Sequence, residues 1–95
     1  MRTITRGQIE VLLMVVAQGR PISAHNLGAI IDPRASYQNP RRYYTVGYRR
    51  AAPLVGMGLL VKFGTGLYAP TERGRIAAAL LMARDPSLRV KFFDR

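Results

Sequence analysis

The stretch "LLVKFGTGLYAP", residues 59 to 70, is where the pattern of this chain turns from helical to strand-like. Leu59 to Phe63 and Leu67 to Ala69 read as two strands, and Gly64-Thr65-Gly66 between them supplies a tight turn. That is one β-hairpin. The segments before it and after it carry helix periodicity and helix punctuation, so the fold class is mainly α with a single hairpin.

Upstream, Thr5-Arg6-Gly7-Gln8 is a capping box, with Thr5 at the N-cap and Gln8 at the third helical position. Ile4 is placed to staple to Ile9. Ile9, Leu12, Leu13 and Val16 fall on one face and Gly19 closes the helix, which spans about 5 to 18. "RPI" is a short extended link, because a residue before proline avoids the helical region. Ser23 caps a second helix with Leu27, Ile30 and Ile31 as its buried face, ended by Asp32-Pro33. "DPRASYQNP" then reads as a polar loop with proline at both ends.

Asn39-Pro40 is an N-cap followed by proline at the first helical position, so a third helix begins there and ends by Gly58. Pro53 lies inside it, removes the bond to the carbonyl of Arg49, and predicts a kink or break at 49–53. Gly28 and Gly47 sit in the second and third helices, where glycine costs roughly 1 kcal/mol against alanine. A close crossing of the two helices explains both; an irregular turn at one of them is the alternative. Downstream of the hairpin, Thr71 caps a fourth helix, "ERGRIAAALLMAR", which stops at Asp85-Pro86. Residues 1–86 thus form one domain. The tail 87–95 alternates apolar and basic residues and reads as a strand or a dimer contact.

The chain has 95 residues, 48 % of them apolar, which suits one globular domain. A domain of this size buries roughly 60–65 % of its unfolded surface. Fifteen basic residues against five acids give a net charge of +10, and thirteen of the fifteen are arginine. That balance favours a polyanionic partner, nucleic acid first and an anionic membrane surface second. From Pro33 to Thr71 there are six bases and no acid. There is no cysteine, which excludes disulfides and thiolate metal sites. "VLLMVVA" follows two arginines and mimics a signal peptide. It is only seven residues long, is bordered by Glu10, and has no small-residue cleavage site after it. No run approaches the roughly 18–20 apolar residues of a membrane span. A cytoplasmic location is expected.

The order helix, helix, basic helix, hairpin, helix resembles the winged helix-turn-helix family of DNA-binding regulators, over about residues 5 to 83. The strongest piece is "GLLVKFGTGLYAPTERGR", residues 58–75. In many such regulators Gly-Leu ends the recognition helix, a hairpin wing follows, and a "Y-x-x-T-x-x-G-R" stretch opens the next helix. Here Tyr68, Thr71, Gly74 and Arg75 stand at that spacing. The resemblance implies the topology α-α-α-β-β-α and duplex DNA as partner. Two features depart from the family pattern: a longer loop between the second and third helices, and Pro53 inside the third.

On the third helix, Tyr44, Tyr48, Ala51 and Val55 are taken as the inward face. Arg42, Thr45, Val46, Arg49 and Arg50 then point outward, flanked by Arg41 and Tyr43. Arginine recurring on an outward face suits base edges and phosphates. Arg42, Thr45, Arg49 and Arg50 are therefore the expected groove contacts. Arg41, Tyr43, Lys62 and Thr65 are the expected phosphate contacts. The proline-started helix also points its positive dipole end outward toward a phosphate.

Other chemistry is poorly supported. His25 is the lone histidine and reads as a surface residue. No metal site or cofactor is expected, since ligand clusters are missing from the sequence. Ser23, His25 and Asp32 share one helix and its ends, which is poor triad geometry. "GMG" and "GTG" lack the remainder of a phosphate-loop motif. An enzyme is not expected, nor a small-molecule substrate. The expected function is sequence-specific binding of double-stranded DNA, as a small transcriptional regulator. One alternative is a protein–protein adaptor or antagonist of a transcription component. Another is binding of RNA or single-stranded DNA, with tyrosines stacking on bases rather than packing in the core. A homodimer is expected, because Val11, Met14, Val15, Leu81 and Met82 are left over on the apolar first and fourth helices. The tail would cover part of that seam.

Overall fold

Thr5 and Gln8 close the capping box that starts the first helix. Thr5 Oγ1 accepts from the Gln8 amide at 3.2 Å, and Gln8 Oε1 accepts from the Thr5 amide at 3.0 Å. The computed structural model describes residues 4–31, 40–64 and 66–93, with the side chains of Pro40 and Arg42 excepted. Within it run α1 (Arg6–Gln18), β1 (Ile22–Ser23), α2 (Ala24–Ile31), α3 (Pro40–Gly56), β2 (Leu60–Phe63), β3 (Leu67–Pro70), α4 (Glu72–Arg84) and α5 (Pro86–Phe92). The described residues are thus mainly helical, with one antiparallel three-stranded sheet in the order β1-β3-β2. Asp32, Pro33 and Asn39, expected to end the second helix and cap the third, lie outside the described residues, as does Tyr37.

α1 is the central helix and meets α3, α4, α5 and β3. Val11, Leu12, Leu13 and Val15 are fully enclosed, so it buries far more than the single face read from its periodicity. This overturns the expected dimer seam. Val11 and Val15 are core residues, and Met14, Leu81 and Met82 are half-buried against that core. What covers them is the tail, which is a helix and not a strand. Asp85 accepts from the Ser87 amide at 3.2 Å and Pro86 takes the first helical position, so the residues that stop α4 also start α5. Leu88 and Phe92, one turn apart, then pack against the core. Lys91 reaches Glu10 of α1 at 3.3 Å.

α2 begins where Ser23 Oγ accepts from the Asn26 amide at 3.1 Å. Its buried residues are Ala24, Leu27 and Gly28, with Ile31 half-buried. Ile30 belongs instead to the exposed side, because α2 turns its small residues toward α3. α3 continues through Pro53, so the break expected at 49–53 does not occur. Proline removes only its own donor there, and the Pro53 carbonyl still accepts from the Met57 amide at 3.0 Å.

The hairpin has Lys62 opposite Tyr68 and Phe63 opposite Leu67. Gly64 and Gly66 take φ of 62° and 103° at its turn, a region open to glycine. The unforeseen strand is β1, which pairs Ile22 with Tyr68 and Ser23 with Leu67. Two residues are too short to show alternation. The Ala24 amide also donates to the Gly66 carbonyl at 3.1 Å, so the start of α2 is fastened to the hairpin turn. On the other side, Thr71 Oγ1 donates to the Gly58 carbonyl at 2.7 Å and accepts from the Gly74 amide at 3.0 Å. One side chain thereby caps α4 and ties it to the end of α3.

Candidate nucleic-acid interface

The rotation of α3 about its axis decides which basic residues face outward. It is set by glycine. Gly28 packs on the Tyr43 carbonyl and Gly47 packs on the Ala24 carbonyl, each so tightly that a Cβ would overlap the oxygen. The side of α3 that meets α2 is therefore the line Tyr43–Gly47, continued into the core by Ala51 and Leu54. This corrects the expected inward face. Tyr43 is 7 % exposed, whereas Tyr44 and Tyr48 are 46 % and 43 % exposed. Tyr43 is thus a packing residue and not a phosphate contact. Its ring meets the edge of the His25 ring at 5.2 Å, with the planes at 84°.

Arg41, Thr45 and Arg49 are exposed, at one-turn spacing on the outward face of α3. The Thr45 hydroxyl donates back to the Arg41 carbonyl at 3.1 Å. Arg50 is placed differently from expectation. It is half-buried, and its guanidinium lies over Gly7 in the first turn of α1, with Nη1 3.1 Å from where a Gly7 Cβ would stand. The true inward line runs one step away from Arg50, which brings that residue toward α1 rather than into a groove. The side chain of Arg42 and the whole of Thr65 lie outside the described residues.

The hairpin joins this face through aromatic contacts. Tyr44 and Tyr48 stack with ring centroids 6.0 Å apart and planes at 11°. Tyr44 Cε2 lies 3.7 Å from where a Gly66 Cβ would stand, against the hairpin turn. Lys62 Nζ sits 5.6 Å from the centroid of the Tyr48 ring. So α3 supplies Arg41, Thr45 and Arg49, the tyrosine pair bridges, and β2 supplies an exposed Lys62. No acid stands anywhere between Pro33 and Thr71 to neutralise them.

Beneath this bridge lies Tyr68, fully buried and opposite Lys62 in the ladder. Its hydroxyl has no hydrogen-bond partner among the described residues. Burial raises its pKa above the ordinary tyrosine value, and the neighbouring Tyr44 and Tyr48 phenols add to the rise.

Sequence periodicity alone missed the outward tyrosine pair. The signal that identifies it is Gly47 with Gly28: a mid-helix glycine marks the side where another backbone approaches, which puts Tyr43 inward and Tyr44 outward. Among the described residues no three His, Cys, Asp or Glu side chains cluster as a metal site would need. No described helix is long and apolar enough to cross a membrane. No protein-family model matches the chain, and no curated protein or solved structure matches it either.

Proposed function

We propose that this chain binds double-stranded DNA as a winged-helix module and acts as a small transcriptional regulator. In this reading α3 enters the major groove, with Arg49 and Thr45 toward base edges and Arg41 toward a phosphate. The β2–β3 hairpin is the wing, with Lys62 on the backbone. The observation that carries the reading is the unbroken exposed face of Arg41, Thr45 and Arg49 beside Lys62, within an acid-free segment. Such like-charge crowding costs stability unless an anion lies opposite it.

The exposed Tyr44–Tyr48 pair favours a second reading, stacking on bases of single-stranded DNA or RNA, worth roughly 1–3 kcal/mol per base. Duplex binding is the stronger reading. The two rings already occupy one face of each other, and Lys62 stands over Tyr48. Little flat surface is left for a base.

A titration of affinity against salt tests both. Neutralising about six phosphates gives a slope of log affinity on log salt near −5 for duplex DNA. Excess single strand should displace the protein poorly. A duplex slope near −1 overturns nucleic-acid binding, and preferential displacement by single strands moves the function to the second reading.

A further inference from the structure

The outward face of α4 is uncovered. Ile76 and Leu80 are 56 % and 61 % exposed, one turn apart, with the exposed alanines Ala79 and Ala83 beside them. On the same side Glu72 stands in the first turn and Arg84 in the last. Both charges are exposed, and neither makes an ion pair among the described residues.

We propose that this face pairs with the same face of a second copy, the two α4 helices running antiparallel across a two-fold axis at the level of Ala78. The occupant is chosen by the spacing of charge. Ile76 and Leu80 lie two residues to either side of Ala78, and Glu72 and Arg84 lie six to either side. An antiparallel two-fold pairing therefore brings each Ile76 to the partner's Leu80. It also brings each Glu72 to the partner's Arg84, at a level about 9 Å from the axis given a rise of 1.5 Å per residue. The stripe is self-complementary in both its apolar and its charged positions. Two ion pairs close the ends of an apolar seam. The surface differs from the seam expected from sequence, whose residues are core or lie under α5. A single helix pair falls in the small-interface class, below about 1,200 Å², so the dimer forms at micromolar concentration rather than being obligate.

The test is sedimentation equilibrium on the full chain without nucleic acid, so that its failure leaves the DNA reading untouched and the failure of DNA binding leaves the dimer untouched. The native chain should dimerise at tens of micromolar, and Leu80→Glu should leave it monomeric. Glu72→Arg and Arg84→Glu should each weaken self-association about tenfold, because two attractive pairs become repulsive. An equimolar mixture of those two variants should pair as tightly as the native chain, since both ion pairs re-form in the heterodimer. General repulsion between basic chains behaves differently: it would weaken the Glu72→Arg dimer and strengthen the Arg84→Glu dimer. The mixture also guards against a folding defect, which it could not repair. A native chain that stays monomeric at several hundred micromolar overturns the proposal. So does a dimer indifferent to Leu80→Glu, or a mixture no tighter than its components.

Discussion

Gly28 of α2 rests on the backbone carbonyl of Tyr43 in α3, and the contact leaves no room for a side chain. Four residues on, Gly47 makes the reciprocal contact with the Ala24 carbonyl. Both obstacles are backbone atoms, so no rotamer change can relieve a clash. Gly28→Ala or Gly47→Ala should each cost about 3 kcal/mol or more, against a helix-propensity gain of roughly 1 kcal/mol. The same contacts fix the rotation of α3, so loss of stability should come with loss of nucleic-acid affinity. Thermal unfolding of the two variants checks the first. A melting temperature within a degree or two of native contradicts the crossing.

Thr71 holds two segments at once, by capping α4 at Gly74 and donating to the Gly58 carbonyl. Gly74 itself packs on the Leu59 carbonyl. Thr71→Ala should cost about 1–2 kcal/mol, as a lost cap plus a lost hydrogen bond. Thr71→Ser keeps both and should recover most of it. Chemical denaturation of the pair of variants measures the difference; equal losses in both would assign the effect to the threonine methyl.

Tyr68 carries a buried hydroxyl that no described group satisfies. Removing it deletes an unmet desolvation cost, so Tyr68→Phe should be neutral or stabilising by about 1 kcal/mol. The pH dependence has a definite sign. The folded state holds the phenolic proton more tightly than the unfolded chain, where the group titrates near its ordinary value of about 10. Its contribution is fully present below that value and is lost as pH rises toward the raised folded one. Native protein should lose stability more steeply than Tyr68→Phe above about pH 10. Parallel curves for the two proteins would contradict the shift.

The elements legible in the sequence were those announced by local chemistry. Thr5 with Gln8, Thr71, and Gly64 with Gly66 mark ends and turns through bonds made within a few residues, and each stands where it was read. What failed needed tertiary information. The inward face of α3 was assigned by giving the tyrosines to the core, since apolar area ranks them so. The choice belonged to Gly47, whose missing side chain admits α2 and rotates Tyr44 and Tyr48 out. The tail alternates Leu88, Val90 and Phe92 as a strand would, but Leu88 and Phe92 are also one helical turn apart. The Asp85-Pro86 start and the waiting surface of α1 decide for the helix. Arg50 has the same type and charge as Arg49, and only the packing of α1 separates their roles.

That separation gives the sharpest test of the interface. Arg49 stands exposed on the outward face of α3, one turn beyond Thr45. An arginine so placed makes two bonds to a guanine edge, so Arg49→Ala should cost roughly 1–3 kcal/mol and relax preference at one base position. Lys62 lies on the hairpin beside Tyr48 and faces backbone. Lys62→Ala should weaken all sequences about equally and flatten the salt slope by about one unit. Arg50, laid over Gly7, should behave as neither: Arg50→Ala should lower stability while leaving base preference unchanged, because its packed stem rather than its charge is used. The measurement is affinity of the three variants for a panel of single-base changes in one bound duplex, with melting temperatures alongside. If Arg49→Ala and Lys62→Ala lose affinity in the same sequence-blind way, α3 does not read bases through Arg49 and the protein is a non-specific DNA binder. If Arg50→Ala alone shifts base preference, the guanidinium leaves α1 on binding and the groove face of α3 is centred one residue further along.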